Sequence, residues 1–355
     1  MKAITVRPME KGSLKHMEVD APVPGPDEAL VRVIRVGLDG TDKEIGEAHY
    51  GEAPKGSEYL IIGHESFGVV ESKGSNVNSV NVGDYVVATV RRPDDCLNCS
   101  KGESDFCVKG DYTERGIKGA HGYMCEHYVE KQGNLVRIPK EIKDPAVMLE
   151  PFSIVEKAVM QIWKIQERMA WEPKKAIVFG TGVVGLLGAI LLRQGGLEVT
   201  SIDRTDKHEV KDRIYSEFGI RHINSTNGIS DVGSADVVIE LTGNPAAVEN
   251  AVSACGINGI CCLLSVTGQS YEESIDIGKW NYNMVLGNRL VFGSVNSNRW
   301  HFEKGVLDMM AIEKAHPGIL KTLITDRVGF DDFNSYDIMS GKGKLKTVIE
   351  VSKDA

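Results

Sequence analysis

Ala176-Ile177-Val178-Phe179-Gly180-Thr181-Gly182-Val183-Val184-Gly185 is the stretch that decides the fold. Four apolar residues run into glycines spaced G-x-G-x-x-G, and the chain continues into Leu186 to Arg193, a helical stretch. The glycine pattern alone is weak, because many strand-to-helix turns match it. Between a buried strand and an apolar helix it has the context it needs. The glycines allow a tight turn and a close backbone approach, so a pyrophosphate can sit on the helix N-terminus. Asp203 ends the next apolar run, 21 residues after Gly182. An acidic residue about 20 residues on is expected to bind the adenosine ribose hydroxyls. A carboxylate there repels a 2′-phosphate, which predicts NAD as the preferred cofactor and NADP as a weaker one. Arg204 could pair with a phosphate or stack on adenine. The plainer alternative is that Asp203 and Arg204 form a solvated turn.

Outward from this stretch, Val199–Ile202, Ala235–Glu240, Ile260–Ser265 and Leu290–Gly293 read as further strands. Helical stretches separate several of them, and Ser153–Ala170 has apolar residues at helical spacing. Strand–helix alternation with buried strands predicts a doubly wound parallel sheet over residues 155–299. The first third differs. Ala29–Val36 and Phe67–Ser72 alternate like half-buried strands, and such short, frequent strands suggest a barrel-like β fold. Arg91–Tyr123 is dense in charge, glycine and cysteine, and reads as an irregular lobe. Leu345–Val351 is a tail strand expected to rejoin the first domain, which would then comprise residues 1–154 and 300–355. The fold class is α/β.

With 355 residues the chain has room for two cores. A net charge of −9 argues against nucleic acid and anionic membranes as partners. The first residues lack a secretory signal, and no run approaches the length of a membrane span. Seven cysteines, three of them clustered (Cys96, Cys99, Cys107), fit a reducing compartment and a metal site better than a disulfide framework. The expected location is cytoplasmic.

Gly63-His64-Glu65 places an imidazole beside a carboxylate. Asp39 and Thr41 lie about 25 residues earlier, and Glu150-Pro151 marks the domain junction. Hard ligands of this kind suit a divalent metal that keeps one open position. A lone His-Glu pair is more often a surface hydrogen bond. The dinucleotide fingerprint shifts that balance, because it supplies a hydride acceptor for an alcohol that a metal activates.

Taken together, these motifs resemble the zinc-dependent medium-chain dehydrogenase/reductase superfamily and, within it, the archaeal-type glucose dehydrogenases. The segments that carry the resemblance are Val36–Ile45, Ile62–Glu65, Glu114–Ile117, Ala120–Met124, Glu150-Pro151 with Glu156-Lys157, and Gly293–Asn296 with His301-Phe302. The resemblance implies a GroES-like catalytic domain followed by a Rossmann nucleotide-binding domain. It implies catalytic zinc held by Asp39, His64 and a carboxylate from Glu65 or Glu150, one of which acts through water. Asp39 stands where most relatives carry cysteine, which implies a harder and more labile zinc site. Thr41 would hydrogen-bond the substrate alkoxide and start a proton relay, with Glu44 at the position where many relatives end the relay with histidine. Glu114, Glu150, Asn296 and His301 would touch the sugar. Thr242, Gly243, Ser265, Val266, Ser294, Val295 and Asn296 would join Gly180 to Gly185, Asp203 and Arg204 around the cofactor.

Cys96, Cys99 and Cys107 match three quarters of the superfamily's structural zinc site, with Pro93 where the first cysteine belongs. Asp111 is the first candidate for the missing ligand, with Asp94, Asp95 and Glu114 as rivals, and an empty lobe is the alternative. The resemblance implies an NAD(P)-dependent glucose 1-dehydrogenase that is a dimer or tetramer. A polyol or secondary-alcohol dehydrogenase is the alternative enzyme, and a catalytically silent NAD(H)-binding redox sensor is the alternative of another class.

Overall fold

The computed structural model describes residues 1–205, 207–228, 232–268, 270–272, 274–335 and 344–354. The chain divides into two compact units, one of Met1–Ser153 with Asn296–Ala355 and the other of Ile154–Val295. The second crossover therefore falls before Asn296, earlier in the chain than position 300, so Asn296 belongs with the first unit.

The first unit is β-rich. Its central strand, Glu28–Leu38, pairs along one side with Glu65–Lys73. Along the other side it pairs first with His127–Lys131 and then with the tail strand Lys346–Glu350. Ala29, Val31 and Val33 bury one face by simple alternation. A register shift between Val33 and Arg35 then brings Ile34 and Val36 inside as well. The tail strand pairs with Ile324–Gly329 on its far side. Arg91–Tyr123 is less irregular than its composition suggests. It carries a small sheet of Arg91–Arg92, Thr113–Arg115 and Gly119–Ala120, and a single helical turn at Leu97–Ser100.

The second unit is a six-stranded parallel sheet. Its spatial order is Arg221–Asn224, Glu198–Asp203, Lys175–Phe179, Ala235–Glu240, Cys255–Leu263 and Leu290–Gly293. The strand order reverses between Lys175–Phe179 and Ala235–Glu240, the switch point at which such sheets bind ligands. The glycine turn and Leu241-Thr242-Gly243 both leave the sheet there. Trp163 and Trp171 pack edge to face, with ring centroids 5.7 Å apart.

The helix that opens the second half runs from Leu149 to Gln166, starting four residues before the expected Ser153. Pro151 sits in its first turn, where no backbone N–H is needed, so Glu150-Pro151 lies inside the helix rather than before it. Among the described residues, no helix is long and apolar enough to cross a membrane.

Candidate active site and nucleotide site

Asp39 caps the helix Gly40–Gly46. Its Oδ1 accepts from the backbone N–H groups of Thr41 (2.8 Å) and Asp42 (3.2 Å), and its Oδ2 accepts from the Thr41 hydroxyl (3.3 Å). Oδ2 also faces His64 Nε2 at 3.4 Å. One carboxylate oxygen thus fixes the loop while the other is presented to the imidazole.

Asp42, which the sequence pattern did not single out, completes the capping box. It accepts from the Asp39 N–H (3.2 Å) and from the Gly63 N–H (3.1 Å), and its Oδ1 lies 4.0 Å from His64 Nδ1. With both oxygens engaged, Asp42 orients its neighbours, as the outer partners of metal ligands do.

Glu65 lies on the adjacent strand, buried against Gly37 of the central strand. A Cβ on Gly37 would come within 1.9 Å of Glu65 Oε2, so only glycine leaves room for this carboxylate. Glu65 Oε1 is 2.5 Å from Lys346 Nζ, and the same ammonium donates to the Leu38 carbonyl (3.0 Å). Lys346 is the second residue of the site that sequence motifs did not reveal. It arrives on the tail strand and is 3% exposed.

Asp39, Asp42 and His64 bring ligand atoms within 4.8 Å of one another, and so do His64, Glu65 and Glu150. The residues fit a divalent metal on three counts. Ligand atoms of a tetrahedral oxygen–nitrogen site lie about 3.3 Å apart, close to the Asp39–His64 spacing. Buried His64 Nδ1 has no hydrogen-bond partner. The carboxylates also repel one another. Burial pushes the Glu150 carboxyl up to about 8 against the pull of His64, with Glu65 and Asp39 adding to the rise. Burial and the Asp39 charge raise Asp42 to about 7 despite His64, and burial raises Glu65 despite Lys346. For Asp39, burial pushes up but His64 outweighs it, and the group sits below the usual carboxylate range. Cations relieve this kind of crowding.

Also in the first unit, Arg91 Nε and Nη2 (3.0 Å each) and Asn296 Nδ2 (2.6 Å) converge on Glu114 Oε1. Two of the expected sugar contacts are therefore in direct contact with each other. His301 is buried, and its Nδ1 accepts from the Asn298 N–H (3.0 Å) in the capping box of helix Arg299–Ala315.

In the cysteine lobe, Asp94 joins Cys96, Cys99 and Cys107, all with ligand atoms within 4.8 Å. Asp94 Oδ2 lies 2.8 Å from Cys107 Sγ, and the Cys96 and Cys107 sulfurs are 3.9 Å apart, close to the roughly 3.8 Å of a tetrahedral thiolate pair. Asp111, the first candidate for this place, instead pairs with Lys109 at 3.3 Å and is exposed. Asp95 pairs with Lys109 as well, and Glu114 is held by Arg91. Counting back three residues from Cys96 reaches Pro93. The chain offers the next residue instead, whose Oδ1 is fixed by the Cys96 N–H (2.8 Å).

In the second unit, Gly180 has φ +92°, and a Cβ on Gly185 would lie 1.9 Å from the Gly180 carbonyl oxygen. Nothing lies within 4 Å of the Cβ direction of Gly182, at the helix N-terminus where a ligand could approach. Glu240, buried at the end of its strand, gathers the far side of the crevice. Its carboxylate accepts from the Thr242 N–H (2.7 Å) and hydroxyl (2.5 Å), the Gly243 N–H (3.3 Å) and the Ser265 hydroxyl (2.8 Å). Val266 and Val295 are exposed, and the Ser294 N–H donates to the Leu263 carbonyl (3.0 Å).

Asp203 is more heavily engaged than expected. Oδ1 accepts from the Thr205 N–H (2.9 Å) and lies 2.8 Å from His222 Nε2. Oδ2 is 2.5 Å from Lys211 Nζ and bonds the Thr181 hydroxyl. Each oxygen already has two partners. Arg204 is exposed.

The β-rich unit and the parallel sheet with its glycine turn define a two-part dehydrogenase of the medium-chain type. A profile of the alcohol dehydrogenase GroES-like domain matches residues 25–140, and one of the glucose dehydrogenase C-terminus matches residues 143–351. The chain is 42% identical to a glucose 1-dehydrogenase of Methanocella arvoryzae over 358 aligned positions, covering 99% of each chain. It is 38% identical to a glucose 1-dehydrogenase of Caldivirga maquilingensis, again over 99% of each. Among solved structures, the Haloferax mediterranei glucose dehydrogenase in complex with NADP, Zn and gluconolactone superposes with a TM-score of 0.90 at 33% identity, over the full length of both. The chain belongs to the zinc-containing glucose dehydrogenase family of medium-chain dehydrogenases.

Proposed function

We propose that this chain oxidises the anomeric carbon of D-glucose, and of related aldoses, to the aldonolactone, passing a hydride to NAD(P). The observation that carries this is the convergence of Asp39, His64, Glu65 and Glu150 in the unit that also holds the Glu114–Asn296 pair. Asp39, His64 and Glu150 would hold the catalytic zinc, with Glu65 kept in reserve by Lys346. Zinc bound there supplies Lewis acidity that lowers the pKa of a hydroxyl.

The chain's own groups do the rest. The Thr41 hydroxyl, fixed against Asp39, accepts the proton of the sugar's anomeric hydroxyl and starts its passage outward, and exposed Glu44 serves the helix surface. Glu114, with three donor bonds converging on Oε1, keeps Oε2 for a sugar hydroxyl. Asn296 and His301 frame the same sugar. Asp94, Cys96, Cys99 and Cys107 would hold a second, structural zinc.

NAD is the preferred acceptor, and NADP is accepted with a small penalty. The Asp203 charge disfavours a 2′-phosphate, but Lys211 at 2.5 Å offsets much of it.

The chain would act as a homo-oligomer, a dimer or tetramer. The outermost strand Leu290–Gly293 and exposed Tyr282, Val285 and Leu286 on the neighbouring helix offer the surface. Seven free cysteines suit the reducing cytoplasm.

Steady-state kinetics on a panel of aldoses and polyols, with NAD and with NADP and with and without chelator, test the proposal. Aldose oxidation lost on chelation is the expected result. Polyol oxidation without aldose oxidation would overturn the substrate, and nucleotide binding without any turnover would overturn the enzyme.

A further inference from the structure

The carboxylate of Glu240 carries an inference that rests on the nucleotide-binding proposal and deepens it. Glu240 ends the strand Ala235–Glu240 and is fully buried. The strand order reverses beside that strand, which opens the second half of the sheet. Each half of a sheet of this kind takes one mononucleotide. Asp203, the expected partner of the adenosine ribose, ends a strand of the first half. The loops that leave the second half therefore border the nicotinamide end.

Two of those loops meet on Glu240. From the loop after its own strand, Oε1 accepts from the Thr242 N–H (2.7 Å) and hydroxyl (2.5 Å), and Oε2 accepts from the Gly243 N–H (3.3 Å). From the loop after the neighbouring strand Cys255–Leu263, the Ser265 hydroxyl donates to Oε2 (2.8 Å). The loops also touch each other directly. The Thr267 hydroxyl donates to the Gly243 carbonyl (2.8 Å). Gly243 has φ +62°, and its Cβ direction ends 2.4 Å from the Val266 carbonyl oxygen.

Both loops line the crevice. Thr242 Cγ2 is the atom nearest the Cβ direction of Gly180, at 2.8 Å, which sets the first loop against the glycine turn. Val266 follows Ser265 in the second loop and is 85% exposed. An open valine at that place gives the flat face of a nicotinamide ring an apolar surface to rest on.

A carboxylate offers about four acceptor sites and no donor. Four donors from two loops already fill Glu240. It has nothing left for a ligand, so its influence on one must pass through the loops.

We propose that Glu240 is a positioning residue for the nicotinamide half of the dinucleotide, tying Thr242-Gly243 to Ser265 so that both loops meet the ring in fixed places. Glutamine tests this closely, because it keeps the shape and turns one oxygen into an NH2 group. On either side that NH2 group faces a backbone N–H, of Thr242 or of Gly243. A hydroxyl can turn and accept, but an N–H cannot. One loop must step back whichever way the amide points.

The experiment uses zinc-loaded full-length protein and two ligands. NADH binding is followed by nucleotide fluorescence. ADP, which carries the adenosine half alone, is followed by titration calorimetry. Glu240→Gln should raise the NADH Kd roughly tenfold and leave the ADP Kd unchanged. Ser265→Ala unties only the second loop, so it should show the same split with a smaller rise. It also decides the matter if Glu240→Gln does not fold, which thermal unfolding reveals. General loss of structure weakens both ligands, so a merely structural Glu240 would not produce the split. Equal losses for ADP and NADH, or no loss for NADH, in either folded variant would overturn the proposal. Failure of the natural protein to bind either ligand would instead overturn the nucleotide-binding reading on which it rests.

Discussion

Lys346 and Glu65 show how a single residue can decide the state of the proposed zinc site. A buried carboxylate stripped of its ammonium partner costs about 3 kcal/mol or more. Lys346→Met should therefore lower the melting temperature of chelated protein by several degrees, and added zinc should restore much of it by offering Glu65 a second cation. Scanning calorimetry with and without zinc checks this, and an equal loss in both states would refute it.

Glu150 bears on pH dependence. Its carboxyl is raised to about 8 in the folded chain, against an unfolded value near 4.3. Between those values the folded state holds a proton that the unfolded state has lost, so stability falls as pH rises through this window. Chelated protein should melt lower at pH 8 than at pH 6, and Glu150→Gln should flatten that slope. Neither Lys346 nor Asp42 was legible in the sequence. Lys346 lies 281 residues from Glu65, and no local pattern links the two. Asp42 was in plain view within Asp39-Gly40-Thr41-Asp42, but its role depends on meeting Gly63 and His64 in space.

At the scale of the element, the strand–turn–helix at Ala176–Gly185 was fully legible, because each glycine acts on its own neighbours. Gly185→Ala should weaken nucleotide binding at least tenfold, since the added Cβ meets a backbone carbonyl that cannot step aside. Fluorescence titration checks this, with zinc content unchanged as the control. The cysteine lobe was legible in its three sulfurs and not in its oxygen. Spacing pointed at Pro93 and then onward to Asp111, whereas the turn before Leu97–Ser100 brings Asp94 inward. Asp94→Ala should lose one equivalent of zinc per chain and Asp111→Ala should lose none, as read by atomic absorption. The reverse pattern would restore Asp111.

Across the whole molecule, the two proposed metal sites differ in chemistry. One is built from oxygen and nitrogen, the other from three sulfurs and one oxygen, and thiolates hold zinc more tightly than carboxylates do. Graded chelation should remove the Asp39–His64 zinc first, abolishing turnover while the lobe keeps its metal. Loss of both equivalents in a single phase would refute this. The alternating periods of the two halves made the two-unit organisation legible. The second crossover was not, because Asn296 turns back to Glu114 through one side-chain bond that periodicity does not encode.

The tail strand Lys346–Glu350 also has a consequence for biosynthesis. A ribosome releases the chain from its N-terminus, so Asp39, His64, Glu65 and Glu150 all emerge before the intervening nucleotide-binding unit is made. Lys346 emerges only after that unit. Until then the central strand lacks its neighbour along Arg35–Leu38, and Glu65 has no ammonium beside it. The acidic pocket of Asp39, Glu65 and Glu150 is therefore made well before the strand Lys346–Glu350 that brings its ammonium.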